Sequence, residues 1–205
     1  MTVGEVRMTR QAAVRGRPRS EKAEKAIIGA ALDLIGEGTS VSELSIEAVA
    51  ARAGVGKTTI YRRWTNKEDL VGDALATLKA PLPALAGRSV REDLIVYLDV
   101  MRQDSRTLRT RCIMNIAMSE PERHPRLYER FRQSVIEPRR CALQAVLERG
   151  RASGELREDL DVELAMAMLS GTMMWHTKWA SDLDPLPDDL AARIVDEALL
   201  GFRAR

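Results

Sequence analysis

Gly54–Leu70 reads GVGKTTIYRRWTNKEDL, and this stretch decides the fold. It follows a short helical pattern, Ser45–Ala53, across a turn too tight for an ordinary loop. Gly54 suits that turn, because helices often end on a left-handed residue that favours the absence of a Cβ. Beyond the turn, the spacing predicts a third short helix from about Gly56 to Trp64. At about 100° per residue, Ile60 and Trp64 share one side and should pack inward. Thr58, Thr59, Arg62 and Arg63 fall on the opposite side. Lys57 and Tyr61 lie near the packed side, with reach enough for their tips to meet a polymer backbone.

A short helix, a tight turn and a polar, basic second helix can place side chains in the major groove of DNA. Arg can bond guanine O6 and N7 in a fork, and Thr can offer its methyl to thymine. Lys57, Tyr61 and Lys67 are placed as phosphate partners, which set register rather than sequence. Ser45 caps the preceding helix and joins the same set. Asn66 can cap the following helix, whose N-terminal N–H groups also suit a phosphate. For KTTIYRR alone, a solvated basic face competes evenly with this reading. The capped helix and glycine turn before it favour the groove.

Working outward, Ser20 is the expected cap of a first helix, with Glu21 and Glu24 in its early turns. Ile27, Ile28, Ala31, Leu32, Leu34 and Ile35 recur at helical spacing, and Gly36 and Gly38 end the run. A fourth helix is expected from Lys67 to about Leu78, broken by Pro81 and Pro83. Later patterns cover Val90–Met101, Arg106–Met118, Pro125–Arg151, Val162–Ala180 and Asp188–Phe202. No period-two run competes with them. The reading is all-α with about nine helices. It divides into an arm (1–19), a helix-turn-helix domain (20–80) and a larger helical domain (81–205).

Composition agrees with that class. Hydrophobic residues make up 45% of the 205, enough for a core, while aromatics reach only 4%. Residues 1–67 carry 12 Lys and Arg against 7 Asp and Glu, whereas residues 68–205 carry 20 against 23. The basic excess sits with the helix-turn-helix segment, as an electrostatic footprint on phosphates requires. Cys112 and Cys141 form no framework motif, so a reducing compartment is expected. The most apolar stretch, Val162–Trp175, is interrupted by Glu163 and Ser170 and is shorter than the roughly 20 residues that span a bilayer. A soluble, cytoplasmic protein with no membrane partner is therefore expected.

Ala26–Leu70 resembles the DNA-binding domain of the TetR family of bacterial transcription regulators. The resemblance is carried by AIIGAALDLIGEGT and by SIEAVAARAGVGKTTIYRRWTNKEDLV. Ala53, Gly54, Val55, Tyr61, Trp64, Asn66, Lys67 and Glu68 meet the family pattern one by one. It implies that Lys57, Thr58, Thr59, Tyr61, Arg62, Arg63 and Lys67 contact DNA, and leaves open which arginine reads a base. In the arm, Arg15-Gly16-Arg17-Pro18 resembles an AT-hook core, which would send Arg15 and Arg17 into a narrow minor groove. A basic tail adding only nonspecific attraction is the alternative.

On a helical wheel Val162–Ala180 shows a narrow polar strip, Glu163, Ser170 and Thr177, between two apolar flanks. One flank holds Val162, Ala165, Met166, Leu169 and Met173. The other holds Leu164, Met168, Gly171, Met174 and Trp175. A helix apolar almost all round must be buried on two sides, and a second subunit can supply one of them. The last helix offers Leu190, Ile194, Val195, Ala198 and Phe202. Two such helices from each of two chains would make a four-helix interface, the arrangement the TetR resemblance also implies. The expected dimer contacts are Val162, Ala165, Met166, Leu169, Met173, His176, Leu190, Ile194, Ala198 and Phe202; an ordinary internal bundle is the alternative. The resemblance further implies a cavity for a largely apolar small-molecule effector. Its candidate lining is Tyr97, Met101, Met114, Met118, Phe131, Met168, Met174, Trp175 and Trp179, all of which could equally fill a core.

No cofactor or metal is expected. His124 and His176 lie far apart and lack partners at ligand spacing. GVGKTT lacks the four-residue gap of a phosphate loop, and no nucleophile elbow is present, so a helical enzyme is disfavoured. The expected function is a homodimeric, ligand-responsive repressor on a palindromic operator. A DNA-bound adaptor without an effector is the alternative.

Overall fold

The structure is a computed structural model that describes residues 17–85, 87–104, 107–119, 122–178 and 186–202, with the side chains of 17–20, 108 and 109 left aside. These residues form α1 (Arg17–Gly36), α2 (Ile46–Ala53), α3 (Lys57–Tyr61), α4 (Lys67–Ala76), α5 (Val90–Asp104) and α6 (Leu108–Ala117). Then come α7 (Pro125–Phe131), a π turn (Arg132–Ile136), α8 (Glu137–Ser153), α9 (Val162–Lys178) and α10 (Leu190–Phe202). Because α7, the π turn and α8 are continuous, the described residues hold nine uninterrupted helices and no strand. The all-α expectation holds.

Local chemistry accounts for most ends. Gly38 adopts φ 99°, and Thr39 N donates to Leu34 O (3.1 Å) while Gly38 N donates to Ile35 O (3.0 Å). Gly54 repeats the device at φ 65°, with Val55 N on Ala50 O at 3.0 Å. Ser45 caps α2 by accepting from Ala48 N (3.1 Å), and Asn66 caps α4 by accepting from Asp69 N (2.9 Å).

Two expected boundaries are corrected. Ser20 is not the cap of α1, which begins at Arg17. Proline is tolerated in the first turn of a helix, where its missing N–H has no helical partner, so Pro18 does not stop it. The third helix ends at Tyr61 rather than near Trp64. Arg63 N donates to Ile60 O (2.9 Å), a tighter three-residue turn that unwinds the last expected turn of the helix.

Packing falls into two cores. The first gathers Ile27, Ile35, Val49, Ile60, Trp64, Leu70 and Leu75 from α1–α4 with Ile113 of α6 and Leu127 and Phe131 of α7. The second gathers Leu94 and Leu98 of α5, Leu143 and Leu147 of α8, Leu169 and Met173 of α9 and Val195 of α10. The π turn sits where one long helix passes from the first core to the second. Between them, Ala80 is held on both sides of its backbone: its N–H donates to Asp104 Oδ1 (2.8 Å) and its C=O accepts from Arg139 Nη2 (2.6 Å). Arg139 Nη1 closes the ring on Asp104 Oδ2 at 2.7 Å. The chain thus enters the second core through one residue whose backbone N–H and C=O are both bonded.

Gly54→Ala should destabilise the fold by about 1–2 kcal/mol, the cost of a left-handed residue with a Cβ. Urea unfolding should show a lower midpoint with an unchanged slope.

Candidate nucleic-acid interface

Five residues make too short a helix to persist alone, so α3 takes its order from what lies behind it. Ile60 is fully buried and Trp64 is 4% exposed. Trp64 also donates its indole N–H to Asp73 Oδ2 of α4 (2.9 Å), so its polar edge is satisfied inside the protein. With that side fixed, Lys57, Thr58, Tyr61 and Arg62 face solvent, and Thr59 is half-buried. Tyr61 is 54% exposed. Of the outward set the sequence expects, Thr58 and Arg62 are exposed while Thr59 and Arg63 are half-buried; Lys57 and Tyr61, expected near the packed side, are exposed instead.

Three members of the expected set are placed differently. The side chain of Arg63 is only 14% exposed, and its Nε lies 3.4 Å from Glu24 of α1. Arg63 is therefore an anchor between α3 and α1 rather than a groove reader; the helix ends before it, and the wheel that placed it outside no longer applies. Lys67 spends two donors on the loop before α2, Ser42 O at 2.7 Å and Leu44 O at 3.1 Å, which makes it a brace for that loop. Ser45 spends its hydroxyl oxygen on the α2 cap. Arg15 lies outside the described residues, and Arg17 opens α1.

Lys57 carries the clearest electrostatic signature. Its ammonium donates to Glu47 Oε1 of α2 at 2.8 Å, and both groups are exposed. The hydrogen bond and charge of Glu47 raise the Lys57 pKa, and the same bond lowers that of Glu47. Lys57 is thus fully charged at neutral pH. A phosphate that takes it must displace a carboxylate.

The expected pocket residues are not brought together. Tyr97 is buried in the second core, where burial raises its pKa while a hydrogen bond to Ser170 opposes the rise. Met101 packs on that core, whereas Met114, Met118 and Phe131 belong to the first. Met168, Met174 and Trp175 are exposed on the outer side of α9, Trp175 to 62%. Trp179 lies outside the described residues. A cleft of about 620 Å³ does open, but between the α1–α2 loop and α6, lined by Ser40, Ser42, Asn115, Ser119 and His124.

The expected dimer contacts are corrected in the same stroke. Val162, Ala165, Met166, Leu169, Met173, Leu190, Ile194 and Phe202 are buried within their own chain, and His176 and Ala198 are half-buried. The wheel separates two apolar flanks of α9 without saying which one faces home. The outward flank is Leu164, Met168, Gly171, Met174 and Trp175. Among the described residues no cluster of His, Cys, Asp and Glu could hold a metal, and no helix is long and apolar enough to cross a membrane.

Residues 27–74 match the model for bacterial regulatory proteins of the tetR family, and residues 86–198 match that for tetracyclin repressor-like C-terminal domains. The chain belongs to the TetR family. It is 31% identical over 193 residues to the uncharacterized HTH-type transcriptional regulator YdeS of Bacillus subtilis, covering 93% of this chain and 94% of that one. It is 30% identical over 185 residues to the DNA-binding transcriptional repressor TetR of Mycobacteroides abscessus, covering 89% and 94%. The fold also matches the transcriptional regulator FadR of Bacillus subtilis in complex with stearoyl-CoA, with a TM-score of 0.63 at 21% identity over 86% of this chain and 95% of that one.

Replacing Arg62 by Ala should weaken operator binding by about 1–3 kcal/mol without altering the melting temperature. Arg63→Ala should instead lower the melting temperature, since it removes a largely buried anchor. Fluorescence anisotropy and thermal melts on both variants separate the two roles. Glu47→Gln should tighten DNA binding several-fold at low salt, because no carboxylate then competes for Lys57; a salt titration checks it.

Proposed function

We propose that this TetR-family regulator is a repressor that binds a near-palindromic operator as a homodimer and is released by a small molecule. The observation that carries the reading is the exposed face of Lys57, Thr58, Tyr61 and Arg62 on a helix pinned from behind by Ile60 and Trp64. One such face reads few base pairs. Two on a two-fold axis read half-sites roughly 34–36 Å apart.

The homodimer reading is supported by α9. Leu164, Met168, Met174 and Trp175 are large, apolar and exposed at helical spacing, and Leu200 of α10 is exposed as well. A Cβ on Gly171 would meet nothing within 4 Å, so a partner helix can approach closely there. An apolar strip of this kind marks an interaction site, and a second copy is a partner that brings the matching strip.

An effector is supported by one polar group in the body. Among the described residues His176 Nδ1 is buried without a hydrogen-bond partner, a costly state that a ligand group can relieve. The Mycobacteroides abscessus relative, a DNA-binding transcriptional repressor, and the fold neighbour that holds stearoyl-CoA point the same way. In this mechanism the effector prefers the conformation with misplaced reading helices, and lowers operator affinity by its differential affinity for the two states. Residues 20–80 read DNA, residues 81–205 bind effector and partner, and the protein works in the cytoplasm without cofactor or enzymatic activity.

The test is a double variant of the outward flank, Met168→Glu with Trp175→Glu. Sedimentation should show a dimer for the wild type and a folded monomer for the variant. Operator affinity should fall at least about a hundredfold as the linked second half-site contact is lost. A variant that stays dimeric would contradict the assignment of this face.

A further inference from the structure

We propose that Arg130 and Asp73 are positioning residues that set the angle of the reading helix from the body of the protein. The inference rests on the DNA-reading function argued above and adds the route by which the body reaches α3. Trp64 is the last anchor of the reading segment, and its backbone N–H still donates to Ile60 O (3.0 Å). Its indole N–H ends on Asp73 Oδ2 (2.9 Å). That same oxygen accepts from Arg130 Nη2 (3.0 Å), and the other carboxylate oxygen accepts from Arg130 Nε (2.7 Å). One carboxylate therefore joins the end of α3 to α7, and the planar guanidinium fork fixes its orientation.

Contact between α4 and α7 leaves no slack in this joint. A Cβ built on Gly72 would lie 2.7 Å from Arg130 Cγ and 2.9 Å from its Cβ, so the side chain of Arg130 lies directly on the α4 backbone. A shift of α7 along α4 cannot be taken up by a gap; it must carry the guanidinium, and with it Asp73 and the indole. The other end of α4 has its own tether. His124, at the start of α7, places Nδ1 3.2 Å from Glu68 Oε1 and Nε2 3.1 Å from Ser42 Oγ. With that tether and the packing of Leu127 and Phe131 intact, loss of Arg130 leaves the reading domain attached while the end of the reading segment loses its fixed link to α7.

Exposure separates positioning from simple support. Arg130 is 47% exposed and Asp73 29%, so their ion pair adds little to folding stability. The effect should appear in operator affinity and not in the melting temperature.

The experiment uses full-length protein and a duplex recovered by selection from random DNA. R130Q and R130K should each weaken binding to that duplex about five- to tenfold, with unspecific duplex binding and melting temperature unchanged for R130K, which keeps the charge and lacks the fork. Combining R130Q with D73N should cost no more than the worse single change, as expected for members of one chain of contacts. In the free protein, the Trp64 indole N–H resonance, identified by its loss in W64F, should move in R130Q and R130K. An unmoved resonance, a moved resonance with unchanged operator affinity, or losses that multiply in the double variant would each overturn the proposal. If the wild type selects no duplex, the DNA-reading function fails instead, and the resonance still judges the joint.

Discussion

The structure depends on the burial of Ile60 and Trp64 behind a helix too short to exist without them. Helix nucleation is unfavourable, and five residues recover little of its cost through internal hydrogen bonds. The first core supplies the difference. Once those two side chains are fixed, Thr58, Tyr61 and Arg62 have nowhere to point except outward, and the reading face follows from the clamp. The same clamp explains why that core recruits Ile113, Leu127 and Phe131 from later helices. A reading head assembled from short helices borrows apolar surface from the body, and that borrowing ties its orientation to the body's state.

Much of this was legible in the residues. Gly54 and Gly38 announce left-handed helix ends, Ser45 and Asn66 announce caps, and all four do what their chemistry requires. Ile60 and Trp64 lie four apart, which marks a buried stripe whatever the exact length of the helix. Arg63 was misplaced because a wheel assumes uniform winding, and α3 tightens after Tyr61. Its counter-charge, Glu24, stands 39 positions earlier on α1, a separation that local spacing cannot reveal. Lys67 shows a similar limit: a basic residue at a helix start reads as a phosphate ligand until the carbonyls of Ser42 and Leu44 are found beneath it.

The two flanks of α9 show the other boundary of sequence reasoning. Periodicity separates Val162, Ala165, Met166, Leu169 and Met173 from Leu164, Met168, Gly171, Met174 and Trp175 without error. It carries no information on which flank meets α5, α8 and α10. That is a property of the tertiary arrangement, and it leaves Met168, Met174 and Trp175, expected to line a pocket, on the exposed side. The π turn was equally hidden. Leu127, Phe131 and Val135 serve the first core and Leu143 and Leu147 the second, and the widened turn at Arg132–Ile136 falls where the helix passes between them.

Hydrogen exchange on the full-length protein, with and without its selected operator duplex, tests the central claim most directly. The account predicts that the amides of residues 57–67 other than Ile60 and Trp64 gain protection on binding DNA, while those of the buried Ile60 and Trp64 are already protected in the free protein. Protection that appears elsewhere and leaves this segment unchanged, or rapid exchange at Ile60 in both states, would contradict it.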